Sequence, residues 1–196
     1  VGVDKAKIKT TIEDFLKAYN EALSYLQAKT SVNPENKTRE ILASDQLFKG
    51  LKIDMRSLMG SAVTSVSAGN PSLLSEIGIK ANSDGTLSLS DSSKLEDALA
   101  SDVRKVSDLF NSSDGLAVRL SSLLETFTSY GGEIDIARDG TQDQLTNVRT
   151  ALTRTNAQID RRVEAFRLQF EALQSALNRI SLQSQAISRL SLQLYG

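Results

Sequence analysis

The chain contains no cysteine, no histidine and no tryptophan among its 196 residues. Without cysteine there is no disulfide scaffold and no thiol nucleophile, and without either cysteine or histidine the usual zinc sites and every His-based triad are excluded. Aromatic residues make up only 5% of the chain, so a core must be built from Leu, Ile, Val and Ala. No apolar run approaches the roughly 20 residues that span a bilayer. Residues Val1 to Lys9 carry Asp4, Lys5, Lys7 and Lys9 with no apolar stretch, which does not fit a secretory signal. A Gly-rich phosphate loop is also missing, and basic residues are not interleaved with aromatics as in nucleic-acid readers. Net charge is −1, which by itself draws the protein to neither nucleic acid nor a membrane surface.

Charge is spread unevenly. Residues 1–60 carry a net +2, residues 61–140 carry −6 and residues 141–196 carry +3. All seven basic residues of the last block are Arg, the cation suited to docking surfaces.

Hydrophobic periodicity predicts a mainly α fold. Ile8, Ile12, Phe15, Tyr19, Leu23 and Leu26 recur at steps of three and four behind Asp4, an N-cap, and Asn33-Pro34 marks the turn that follows. A second helix is expected from Ser44 or Asp45 to about Val66, with Leu47, Leu51, Met55, Leu58, Ala62 and Val66 on one side. The period then changes to alternation. Ile77-Gly78-Ile79 and Thr86-Leu87-Ser88-Leu89 flank Asn82-Ser83-Asp84-Gly85, predicting a short β-hairpin turned at Asp84 and Gly85. Asp91 or Ser92 opens a helix through Leu95 and Leu99, with a second set of turns to Leu109 and Phe110. Asp114-Gly115 precedes a helix bearing Leu116, Leu120, Leu123, Leu124 and Phe127, which Gly131-Gly132 ends.

Thr141 and Gln144 match a capping box, and no Gly or Pro occurs from Leu145 to Leu194. One helix from Gln142 to Tyr195 would be roughly 80 Å long, too long to hide its stripe on a small body. The stripe reads Leu145, Val148, Leu152, Thr155 and Ile159, slips by an extra four residues at Val163, then resumes through Phe166, Phe170, Leu173, Leu177, Ile180, Ser184, Ile187, Ser191 and Leu194. This is a heptad seam with one stutter. Leu168, Leu182, Leu190 and Leu192 add apolar surface, and Leu190 is counted with the assembly seam. From Ser181 on the only charge is Arg189, so the tail is expected to gain order mainly in an assembly. The expected architecture is a helical bundle with one short β-hairpin and a long C-terminal coiled-coil helix. Residues 1–140 would form the body with the hairpin near 77–89, residues 141–180 a long helix packing on it, and residues 181–196 a terminal leg.

Catalytic chemistry finds little support. Spacing like that of a calcium loop runs through Asn82, Asp84, Gly85 and Asp91, but the first ligand position is Lys80, whose ammonium opposes a cation. Paired carboxylates such as Glu13/Asp14, Glu96/Asp97 and Glu133/Asp135 sit among polar residues and read as solvated faces or caps. Asp91-Ser92-Ser93-Lys94 has the spacing of a Ser-x-x-Lys nucleophile and the simpler role of a helix start. No enzyme activity, cofactor or metal is expected.

The string Leu74-Ser75-Glu76-Ile77-Gly78-Ile79, then Asp84-Gly85-Thr86-Leu87-Ser88-Leu89, Lys94-Leu95, Ala98-Leu99 and Val106 to Phe110 resembles the C-terminal half of the bacterial flagellar filament cap family, FliD. Ile12 to Leu23, Asp45 to Leu58 and Gly115 to Leu120 resemble it in the same order. The resemblance implies a secreted structural protein, exported through the flagellar apparatus and assembled as a homo-oligomer, usually a pentamer, at the filament tip. There it would retain exported flagellin and promote its polymerisation. It further implies contacts with flagellin and the hook–filament junction protein, and an export chaperone on the C-terminal helix. Neither nucleic acid nor membrane insertion is implied. Family members carry a helical segment and head domains ahead of the part matching Val1, so the chain would correspond to a C-terminal portion whose coiled-coil mate lies upstream. Alternatives are an adhesin or host-surface module, or another axial protein of the flagellin or junction type.

Overall fold

The computed structural model describes the backbone of residues 4–194 and side chains as far as residue 188. It contains six α-helices and two small antiparallel strand pairs among these residues. The chain divides into two compact units, Val1–Ile136 and Ala137–Gly196.

Helix α1 (Lys5–Lys29) starts where Asp4 accepts a hydrogen bond from the Lys7 amide. It buries Ile12, Leu16, Tyr19, Leu23 and Leu26, the expected stripe widened by Leu16. The Thr30 hydroxyl donates back to the Leu26 carbonyl at 2.7 Å and receives the Lys52 ammonium at 3.0 Å, which satisfies a buried hydroxyl at the helix end. The turn at Asn33-Pro34 is closed by a pair that the sequence did not announce, β1 (Val32–Asn33) against β2 (Thr38–Arg39). Both strands are exposed, so no apolar alternation marks them.

Helix α2 (Gln46–Gly60) begins at Asp45, whose carboxylate accepts from the Leu47 and Phe48 amides. It stops at Gly60 rather than Val66. The Ser61 hydroxyl caps the Leu58 carbonyl, and the Arg119 guanidinium holds the Ser61 hydroxyl and the Ala62 carbonyl. The chain then runs extended, burying Val63 while its amide donates to the Ser72 carbonyl at 2.9 Å. Burial of Val63 thus replaces the expected burial of Ala62, which is exposed.

A 3-10 turn (Leu74–Ile77) leads into β3 (Ile79–Ala81), paired with β4 (Leu87–Leu89) in the register Ile79↔Leu89, Lys80↔Ser88, Ala81↔Leu87. Helices α3 (Ser92–Ser101) and α4 (Val103–Asn111) are separate, with Asp102 between them. The Asp102 amide closes α3 on the Ala98 carbonyl while its carboxylate caps α4 at the Arg104 amide. Helix α5 (Leu116–Thr128) follows Gly115. One core joins these elements, centred on Leu23, Ile77, Leu95, Leu109 and Leu116, all fully buried. The Phe15 and Phe110 rings meet edge to face at 5.6 Å between centroids, the geometry their quadrupoles favour.

Helix α6 (Glu133–Leu194) is 62 residues long, or roughly 93 Å. It begins nine residues before Gln142 and passes through Gly140. Thr141 is therefore not an N-cap, and its hydroxyl donates to the Ala137 carbonyl one turn back. A single interior glycine costs about 1 kcal/mol, too little to end a helix of this length.

Candidate assembly interface

The apolar seam expected on the last helix lies on α6. Leu145, Val148, Leu152, Ile159, Val163, Phe166, Phe170, Leu173, Leu177, Ile180 and Ile187 are between 42% and 70% exposed. Core residues such as Leu23 and Leu109 are 0% exposed. The side chains of Leu190 and Leu194 lie outside the described residues. From Leu145 to Val163 the seam advances 18 residues in five turns, the 3.6 period of a straight helix, before continuing in heptads. The polar ties described between Leu145 and Ile187 are local. Thr146, Thr150 and Thr153 donate to the carbonyl four residues back, and Arg167 donates to Glu171 at 3.1 Å. Fully burying one such apolar side chain against another surface would gain about 1.5–3 kcal/mol.

The hairpin turn has a different role, within the body. Asp84 accepts from the Thr86 hydroxyl at 2.7 Å and the Thr86 amide at 2.9 Å, which holds its carboxyl below the usual carboxylate range. Gly85 sits at φ +90°. The turn is fastened to α1 and α2 through its carbonyls: Tyr19 donates to Gly85, Gln27 to Asp84, and Arg56 to Ser83 at 3.0 Å. Burial pushes the Tyr19 phenol up to about 12, keeping it a donor at every ordinary pH. Asn20 of α1 completes the attachment, donating to the Leu87 carbonyl and accepting the Leu87 amide, both at 2.7 Å. The Asp84 carboxylate is thus turned inward on its own loop. Among the described residues no group of three or more His, Cys, Asp or Glu is placed to hold a metal ion.

Two ties escaped the sequence reading. Asp114, read there as turn punctuation, grips the loop after α2 by the hydroxyls and amides of Ser65 and Thr64. The Ser65 and Thr64 hydroxyls hold its carboxyl far below the ordinary range. Glu76 accepts the Ser72 and Leu73 amides, which lower its carboxyl as well. An acidic residue facing a Thr-Ser pair 50 positions away leaves no local signal. A groove of about 300 Å³ is lined by Ile8, Ile12, Phe15, Val103, Phe110 and Ala117 among others, and holds no ionisable side chain. No helix among the described residues is long and apolar enough to cross a membrane.

The family described as flagellar hook-associated protein 2 C-terminus matches residues 1–181. The chain belongs to that family. It is 28% identical over 195 residues to the A-type flagellar hook-associated protein 2 of Pseudomonas aeruginosa, covering 95% of this chain and 40% of that protein. It is 27% identical over 192 residues to flagellar hook-associated protein 2 of Escherichia coli K12, covering 91% of this chain and 40% of that one. The chain therefore spans about two fifths of the length of these curated relatives. A crystal structure of the flagellar cap protein FliD D1-D2-D3 domains from Escherichia coli is similar at a TM-score of 0.55 and 27% identity, over 69% of this chain and 35% of that one. The membership places the chain among flagellar proteins. In the fold, Gly78 is left-handed at φ +80°, and a Cβ there would stand 2.1 Å from the Asp91 carbonyl oxygen. Only glycine fits at that position.

Proposed function

We propose that the chain is the C-terminal part of a structural cap subunit at the distal end of the bacterial flagellar filament. It promotes flagellin polymerisation and prevents leakage of exported flagellin, and it acts through assembly rather than covalent catalysis. The protein reaches the filament tip, outside the cell, through the flagellar export apparatus. It associates there with further copies of itself, flagellin and the hook–filament junction protein, after an export chaperone has occupied its C-terminal helix. The residues up to about 140 serve as body, and the helix beyond, with its terminal leg from Ser181, carries the assembly seam. The observation that carries this reading is the row of exposed Leu, Ile, Val and Phe on α6 in a member of the hook-associated protein 2 family. Such a row gains several kcal/mol from a mate and nothing from water.

The test places charged substitutions on the seam, Phe170→Glu with Ile187→Glu, in the parent gene of a cap-deletion strain. Wild type is expected to restore filaments, and the double variant to leave short filaments with flagellin monomer in the medium. Filaments of full length from the double variant would overturn the reading.

A further inference from the structure

The flanks of the α6 seam carry charge of one sign. With Val163, Phe170 and Leu177 at heptad position a and Phe166, Leu173 and Ile180 at d, Arg162 falls at g and Arg167 at e. In the block before the stutter, with Leu145 and Leu152 at a, Arg149 falls at e. The other e and g positions from Leu145 to Ser188 are Gln, Asn, Ala or Ser. The acidic residues of this stretch, Asp160, Glu164 and Glu171, each directly follow an a residue and so occupy b; Asp160, beside the stutter, is nearest to the flank. Every one of these side chains is exposed.

In a parallel coiled coil a g residue meets the e residue five positions further along the mate. Arg162 and Arg167 are five apart. A second copy of α6 in parallel register therefore sets Arg162 against Arg167 of that copy, twice, with like charges beside the seam at its stutter. Arg167 already shares charge with Glu171 on its own helix, but Arg162 is set against it all the same. Antiparallel self-pairing brings no acid to the flanks either, because none occupies e or g.

Resting on the assembly role of the seam, we propose that its mate is a helix of different sequence, apolar at a and d and carrying Glu or Asp at the flanking positions opposite Arg149, Arg162 and Arg167. The arginines then have two effects. They attract an acid-flanked helix, and they keep identical α6 helices from closing on each other before that mate arrives.

Two measurements on the 196-residue chain test this. The first is self-association by sedimentation equilibrium, comparing wild type with Arg162→Glu. The substitution turns both repulsive contacts of the parallel pair into attractive ones, and is expected to strengthen self-pairing about tenfold at low salt. The second is titration of two labelled heptad peptides, identical at a and d, one with Glu and one with Lys at e and g. The Glu peptide is expected to bind about tenfold more tightly at low salt. That preference should shrink in 0.5 M salt and vanish in the triple variant Arg149→Gln, Arg162→Gln, Arg167→Gln. Equal binding of both peptides, or a wild-type parallel self-pair that Arg162→Glu does not strengthen, would overturn the proposal. Loss of filament growth by seam variants speaks to the cap reading alone, so the two can fail separately.

Discussion

The body and the long helix use similar residues to opposite ends. Up to Ile136, leucines, isoleucines and phenylalanines close on one another, and long-range polar ties lock the loops around them. From residue 138 to 188 every residue is exposed, although Leu, Ile and Phe recur at regular spacing. Regular periodicity therefore marks a surface that must be covered and says nothing of whether the covering group is in the same chain. What differs is what each hydrophobic residue meets. In the body it meets another element, whereas on α6 beyond residue 137 it meets solvent. The helix stands on local hydrogen bonds and on a composition free of Gly and Pro from residue 141 to residue 194.

Truncation should separate the two regions most strongly. Leu23→Ala or Leu109→Ala removes a side chain with 0% exposure and should cost the body about 2–5 kcal/mol in urea unfolding. Phe170→Ala, 67% exposed, should change the same transition by less than about 0.5 kcal/mol. With an acid-flanked peptide bound, Phe170→Ala should become costly, read as weaker peptide binding. A seam truncation that destabilised the body as much as Leu109→Ala would erase the distinction.

The glycine of the hairpin approach gives the next largest effect. Gly78→Ala imposes a left-handed φ on a residue with a Cβ and drives that Cβ into the Asp91 carbonyl. Gly78 also uses its carbonyl to accept the Ser90 and Asp91 amides, so the backbone has little freedom to move aside. A loss of about 2–3 kcal/mol in the urea midpoint is expected.

These regions also differ in how readable they were. Spacing, with the cap and turn residues beside it, located α1, α2, α3, α5 and the β3–β4 hairpin, because each buries one regular face. Where the chain is governed by single side chains from afar, spacing misled. Val63 is buried in extended chain because Arg119 and Ser72 hold the backbone around it, so α2 ended six residues before Val66. Asp102 caps one helix and closes another, a double role that periodicity through Leu99 and Leu109 passes over. That one helix without a break carries Leu145 to Ile187 was legible in the sequence. Its start was not, since Gly140 and Thr141 imitate a boundary that the backbone ignores.

Acid should loosen the body through carboxylates that neighbouring donors hold ionised. Asp114, Glu76 and Asp84 all have lowered folded values, set chiefly by the Ser65 hydroxyl, the Ser72 amide and the Thr86 hydroxyl respectively. A folded value below the unfolded one means that the contribution is complete above the ordinary carboxylate range, about pH 4, and disappears as pH falls through the folded values. Asp114→Asn should therefore lower the urea midpoint at pH 7 and reduce the further loss between pH 7 and pH 2.5. An unchanged acid limb in that variant would show that the Thr64–Ser65 tie contributes nothing to the body.

The smallest effect has the opposite sign to Gly78→Ala and comes from the same substitution on α6. Gly140 lies inside the helix with nothing within 4 Å of an added Cβ, so alanine meets no neighbour there. It removes the backbone freedom that glycine retains in the unfolded chain, which favours the helix by about 0.5–1 kcal/mol. Amide exchange should slow in the turns around residue 140, while the body's urea midpoint stays where it was. If Gly140→Ala instead cost stability as Gly78→Ala does, the helix would not run unbroken from Glu133, and residues 140 and 141 would mark a true boundary after all.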